Sequence, residues 1–186
     1  MKAVLISIQP KWVEKIANGE KTIEVRKTRP KIETPFKCYI YCTKEYGYSN
    51  GEKLEMSHYL ENGIWFDTGK VIGEFVCDKV DDLRYVPTKY YLQPAGTWEE
   101  MICNSSCLSV DQIKEYAKGG TIYGWHISDL KIYDKPKKLS DFLRPCNKDA
   151  NCFYCKKALF VGGNCEGRIE VPPQSWCYVE EKQDER

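Results

Sequence analysis

Apolar residues in this 186-residue chain come in strand-sized runs, and no run is long enough for an extended buried helix. Ala3 to Ile8 is a short β-branched run that stops at Gln9-Pro10. Pro10 suits the first turn of a helix, whose Trp12, Val13, Ile16 and Ala17 share one face and which Asn18-Gly19 closes. Lys21 to Lys27 alternates, Phe36 to Cys42 is rich in Tyr and Ile, and Lys70 to Val80 is a further strand in which Gly73 marks close approach of backbone. Ser109 with Gln112 forms a capping-box pair that opens a helix through Ala117. Residues 121–134 supply one or two strands, and Gln174 to Val179 a last one. The expected fold is α+β: a small β-barrel with two to four short helices at strand connections, and a Cys-rich irregular segment before the last strand.

The expected organisation is a barrel over residues 1–144, with surface excursions at about 44–69 and 81–108. A short helix is expected near 53–61, and loop or irregular helix over 81–108. A Cys-rich insertion follows at 145–171, then a closing strand at 172–180 and a frayed tail at 181–186. No apolar stretch approaches the roughly 18 residues of a membrane span. The expectation is a cytoplasmic protein with no membrane partner. Its ten cysteines then have to be explained without stable disulfides. The near-neutral total charge hides an asymmetry. Residues 1–48 carry ten Lys/Arg against five Asp/Glu, and the remainder carries 18 against 22. A phosphate-binding face should therefore draw on the first quarter of the chain.

The sharpest constellation is Gly19-x-Lys21-x-x-Glu24-x-Arg26. Glu24 and Arg26 are two apart on one strand and share a face. If that face is inward, an ammonium, a carboxylate and a guanidinium meet in a small hollow, which is costly unless they pair or meet a polar ligand. Arg offers a fork and Lys a point charge for phosphate, and Glu accepts from an exocyclic amine of a base. The competing reading is a solvated strand face of alternating charges.

Ser7-Ile8-Gln9-Pro10, Trp12 and Gly19-Glu20-Lys21-Thr22-Ile23-Glu24-Val25-Arg26 together resemble the ASCH domain, a relative of the PUA domain. The family pattern G-x-K-x-x-[ET]-x-R is matched at all four positions. Gly124-Trp125-His126-Ile127 also looks like the family, and Pro172 to Val179 resembles the C-terminal strand of ASCH-like proteins from phages and Gram-positive bacteria. The resemblance covers most of 1–144 plus 172–180. It implies a PUA-like barrel with a cleft beside the first helix, and RNA or nucleotide-derived ligands. Some members are amidohydrolases of N4-acetylcytidine and some are ribonucleases. In the amidohydrolases a Thr stands at the position of Glu24, acting with the motif Lys and a Glu on a later strand. Here Lys21 and Glu74 match, while Glu24 departs. A carboxylate is no alcohol nucleophile, though it can serve as general base for water.

Stacking candidates are Trp12, Tyr123, Trp125, Trp176 and Tyr178, each equally readable as core. Burial favours core for Trp12, and the strand positions of Trp125 and Trp176 put them forward as cleft residues. Ser7 and Gln9 share a face and are placed to hydrogen-bond a base. Lys11 and Arg29 are further phosphate candidates beside Lys21 and Arg26. His126 reads as a satisfied strand residue or a proton-transfer group. Cys146-x5-Cys152-x2-Cys155-x9-Cys165 is a candidate structural zinc site, with Cys103 and Cys107 as competing ligands. Cys38, Cys42, Cys77 and Cys177 read as buried small apolar residues.

Three functions follow as expectations. The first is an RNA- or nucleotide-derivative-binding module using Ser7, Gln9, Lys21, Glu24, Arg26, Trp125 and Trp176. The second is a hydrolase of a modified nucleoside, of the N4-acylcytidine type, or a ribonuclease, with Lys21 and Glu24 or Glu74 as catalytic groups. The third is an adaptor that docks a protein partner through the Cys-rich segment.

Overall fold

The computed structural model describes residues 2–83, 98–145 and 167–180. Strand β1 (Lys2–Ile8) lies inside a five-stranded sheet, pairing parallel with β3 (Phe36–Cys42) and antiparallel with β12 (Trp176–Glu180). On the far side of β3 come β8 (Val71–Cys77) and then β11 (Ser128–Lys137). The unbroken apolar run of β1 follows from this position, because both faces of a central strand are covered. Val4, Ile6 and Ile8 point into the main core, while Ala3 and Leu5 join a second cluster on the other face with Tyr39, Tyr41 and Phe142. Gly73 stands where a Cβ would meet the Lys131 carbonyl oxygen at 2.5 Å, so the close approach of β11 to β8 requires glycine there.

Helix α1 (Pro10–Ala17) starts at Pro10 and seals one end of the main core with Val13 and Ile16. A second sheet has the order β2 (Ile23–Arg26), β10 (Ile122–His126), β9 (Val80–Leu83). Its Ile23, Val25, Leu83 and Ile122 pack with Ile102 of α2 (Trp98–Ser106) and with partly buried Leu108, Ile113 and Ala117, the last two on α3 (Val110–Ala117). The expected capping box of α3 is present: Gln112 N donates to Ser109 Oγ, and Ser109 N donates to Gln112 Oε1.

Three expectations change. The described strands form separate sheets, not one closed hydrogen-bonded barrel. Residues 44–69 hold no helix; they fold as two hairpins, β4 (Tyr46–Ser49) with β5 (Glu52–Glu55), and β6 (Ser57–Tyr59) with β7 (Trp65–Asp67). The physical reason is Asn50-Gly51, whose φ values of 51° and 82° make the two-residue primed turn that matches strand twist. The stretch assigned to loop or irregular helix contains the regular α2. Among the described residues, no helix is long and apolar enough to cross a membrane.

Cys38, Cys42 and Cys77 are fully buried, as read, and Cys177 is half-buried. Burial pushes the Cys38 thiol well above its ordinary range. Burial, with Glu45 beside one and Asp78 beside the other, moves Cys42 and Cys77 from 9.0 to about 12. Below the unfolded value both states keep the proton and stability is unaffected. Between 9.0 and about 12 only the unfolded chain ionises, so each thiol lowers stability by about 1.4 kcal/mol per pH unit. Urea unfolding at pH 8.5, 9.5 and 10.5 should show this loss. The slope should flatten in Cys77→Ala, and an unchanged slope would remove that thiol as its source.

Candidate functional site

The site begins where α1 ends and β2 starts. Ile23 and Val25 are held in the second-sheet core, which forces Glu24 and Arg26 onto the opposite face. That face looks toward the C-terminal end of β1. Arg26 Nη2 donates to the Ser7 carbonyl at 2.6 Å and pairs with Glu24 Oε1 at 3.0 Å, and Nη1 reaches Ser175 Oγ at 3.4 Å. Lys21 is 3% exposed. Its ammonium donates to the carbonyls of Ile23 at 2.9 Å and Ser106 at 2.8 Å, and lies 3.3 Å from Glu24 Oε2.

Ser106 is the last residue of α2, and the Thr22 amide donates to the neighbouring Ser105 carbonyl at 2.8 Å. Lys21 and Thr22 therefore tie off the carbonyl end of α2, where a cation also complements the helix dipole. The motif lysine is a structural link as well as a charge in the site.

Two polar atoms in this buried cluster have no hydrogen-bond partner among the described residues. Glu24 is 6% exposed, and its Oε2, though near the ammonium, makes no hydrogen bond of good geometry; Arg26 Nε makes none either. Such groups cost free energy until something meets them. Above them opens a cleft of about 580 Å³, a size suited to a small molecule. Trp12 and Gln9 line the α1 side, Lys27 follows β2, and Tyr116 and Lys118 come from α3 and its C-cap. The lining carries four cations, Lys21, Arg26, Lys27 and Lys118, against Glu24 and Glu115.

Of the residues named from sequence, the cleft brings together Ser7, Gln9, Lys21, Glu24 and Arg26. The Ser7 hydroxyl already donates to the Pro173 carbonyl at 2.6 Å. Trp125 is elsewhere: it is 0% exposed, in the main core, edge-on to Phe36 at 5.8 Å and Trp176 at 5.9 Å. Trp176 packs against that core, and its indole N–H donates to Thr28 Oγ1 at 3.0 Å. Trp12 of α1, expected to be core, packs against the main core and also lines the cleft. Glu74 is also away from the cleft, paired with Lys37 at 3.4 Å and accepting from the Tyr133 hydroxyl.

His126 pairs with Asp81 at 2.7 Å and does not line the cleft. Burial raises the Asp81 pKa, but hydrogen bonds from Lys79 and His126 outweigh it and hold the carboxyl below its usual range. Cys146, Cys152, Cys155 and Cys165 lie outside the described residues. Among the described ones, no group of His, Cys, Asp and Glu is placed to hold a metal. Sequence reasoning missed Lys27, Tyr116, Lys118 and Gln174. They reach the cleft from three separate parts of the chain, and no local pattern links them.

The ASCH domain family model matches residues 6–137, a span that includes both the motif and the cleft's two flanking helices. This chain belongs to the ASCH domain family. The ASCH protein of Zymomonas mobilis has a crystal structure with TM-score 0.54 and 16% identity, covering 96% of this chain and 88% of that one. Two point mutants of the same protein, ZmASCH, give 0.54 and 0.53, also at 16% identity, covering 96% and 97% of this chain and 89% and 92% of theirs. At that identity the likeness carries the ASCH fold alone, and it supports the mixed α+β architecture described above. No curated protein matches the sequence.

Proposed function

We propose that this ASCH protein binds a nucleotide-type ligand, free or as a unit of RNA, in the cleft over Lys21, Glu24 and Arg26. One observation carries the reading: Lys21, Glu24 and Arg26, a buried charge set in which Glu24 Oε2 and Arg26 Nε have no hydrogen-bond partner among the described residues, line a cationic cleft with aromatic walls. The Glu24 carboxylate and the Arg26 guanidinium, paired at 3.0 Å, set acceptor and donor groups side by side, the complement of an amine next to a ring nitrogen or carbonyl on a base edge. The excess of cations around them suits an anionic ligand.

The hydrolase reading draws on the same Glu24 carboxylate as base for water, without Glu74, which lies away from the cleft. Lys21 gives it little help as an acid, since its ammonium donates to two carbonyls and ion-pairs with Glu24 at 3.3 Å.

Calorimetric titration with the four nucleosides, their 5′-monophosphates and a short single-stranded oligoribonucleotide tests the proposal. Glu24→Asp keeps the charge balance but withdraws the carboxylate by one methylene. It should weaken binding about 10- to 100-fold, the scale of a charge-assisted hydrogen bond. Failure of the folded protein to bind any of these probes rejects the reading. Turnover of N4-acetylcytidine or labelled RNA that vanishes in Glu24→Asp would instead make the protein a hydrolase.

A further inference from the structure

The two motif cations are poor phosphate ligands here. Lys21 donates its ammonium to the carbonyls of Ile23 and Ser106 and ion-pairs with Glu24, and freeing it would untie the end of α2. Arg26 spends Nη2 on Ser7 and Glu24, and leaves Nε unmatched as a single donor. A phosphate oxygen bound by a guanidinium fork needs two parallel N–H groups, which Arg26 cannot present without breaking its buried bonds. The anion-binding capacity of the cleft must come from its other cations, Lys27 and Lys118, which are exposed.

The aromatic wall points to the same rim. Trp12 has the anchored Lys21 ammonium 5.3 Å from its ring centroid and Lys11 at 4.8 Å. Tyr116 is 37% exposed on α3, and its ring is attended by Lys27 at 5.0 Å, an exposed side chain free to swing away. Helix α3 is fixed at its start by the capping box and at its end by Lys118 in the left-handed conformation, so Tyr116 is presented from a set backbone. A cation lying over an exposed ring is a contact that a base can replace, since both use the same π-face.

We propose that Tyr116, Lys27 and Lys118 form a nucleotide subsite at the rim: a base stacks on Tyr116, and the phosphate is held by the two lysines rather than by the motif. The ligand is accordingly a phosphorylated nucleotide, not a bare nucleoside. This rests on the binding reading above and extends it by naming the ligand class. In the rim subsite Lys27 exchanges a ring for a phosphate as the base arrives.

The test compares nucleosides with their 5′-monophosphates on the full chain at low salt, using Tyr116→Ala, Tyr116→Phe, Lys27→Met with Lys118→Met, and Glu24→Asp. The monophosphates should bind at least about tenfold tighter, and the double lysine variant should erase that margin, as should raised salt for an exposed pair. Tyr116→Ala should weaken the monophosphates about tenfold, the fold-change that about 1.4 kcal/mol of stacking corresponds to. Tyr116→Phe should retain affinity, which separates stacking from a hydroxyl contact. Equal affinities for Tyr116→Ala and wild type, with Glu24→Asp impaired, would overturn the rim subsite and leave the cleft reading standing. Binding absent in the folded wild type, or unaffected in Glu24→Asp and in every rim variant, would overturn both.

Discussion

Glu24→Gln should destabilise the fold by about 3–5 kcal/mol, the cost of removing one member of a buried charge set. Glu24 is the one carboxylate between Lys21 and Arg26, with 3.3 Å to the first and 3.0 Å to the second. Its neutral isostere leaves two buried cations facing each other. The amide also turns an N–H₂ toward one of them, where an oxygen stood. Lys21→Met also costs stability, since the carbonyls of Ile23 and Ser106 lose their donor, but in the double variant no ammonium is left facing the guanidinium. The two substitutions should therefore be less than additive, by about 1–3 kcal/mol in a double-mutant cycle. Urea unfolding of the four proteins reads the cycle. Additive losses would mean that the ion set is not coupled as its geometry implies.

The same cluster shows what was legible in the sequence. Two residues of one strand share a face by period alone, so Glu24 and Arg26 could be paired before any fold was known. That their face is covered depends on Ser7, Ser106 and Ser175, which are distant in sequence and carry no local signal. The hollow was foreseeable only as a condition, and its walls from α3 were not. Strand β1 was readable because a central strand buried on both faces has no alternation to hide. The hairpin at 46–55 has its signal in Asn50-Gly51, which the expectation of a short helix near 53–61 passed over because the flanks are polar and exposed. Here turn chemistry outweighed propensity.

The tryptophans were ordered wrongly for a related reason. Trp12 lies on an amphipathic helix with Val13 and Ile16, which argues for burial, but it sits at the edge of that stripe and borders the cleft. On β10 Trp125 shares a face with half-buried Tyr123 and alternates with half-buried His126, but β10 lies between two cores and is covered on both faces. In the sheet it is the cross-strand partner of Glu24. It therefore stands beside the charge set without lining the cleft, and among the described residues its indole N–H has no hydrogen-bond partner. Glu74 fell out for topological reasons: β8 is separated from β1 by β3, and its carboxylate is engaged by Lys37 and Tyr133.

Trp125→Ala is accordingly expected to cost about 3–5 kcal/mol of stability, the range for deleting a large buried aromatic. The ring is fully enclosed, meets Phe36 and Trp176 edge-on, and its removal leaves a cavity between the two sheets that strand backbones cannot close. Trp125→Phe should cost much less, about 1–2 kcal/mol. It keeps an aromatic in the same layer and deletes the N–H that has no acceptor, which offsets part of the lost contact area. Thermal unfolding gives the order of the two variants, and nucleotide affinity gives the decisive contrast. A base-stacking tryptophan would lose its function as alanine and part of it as phenylalanine. A core tryptophan should lose stability in that order, while Trp125→Phe keeps the wild-type affinity within about twofold at a temperature where it is folded, since stacking contributes on the order of 1–3 kcal/mol per base. A folded Trp125→Phe with tenfold weaker binding would put the ring back in contact with the ligand and contradict its place in the core.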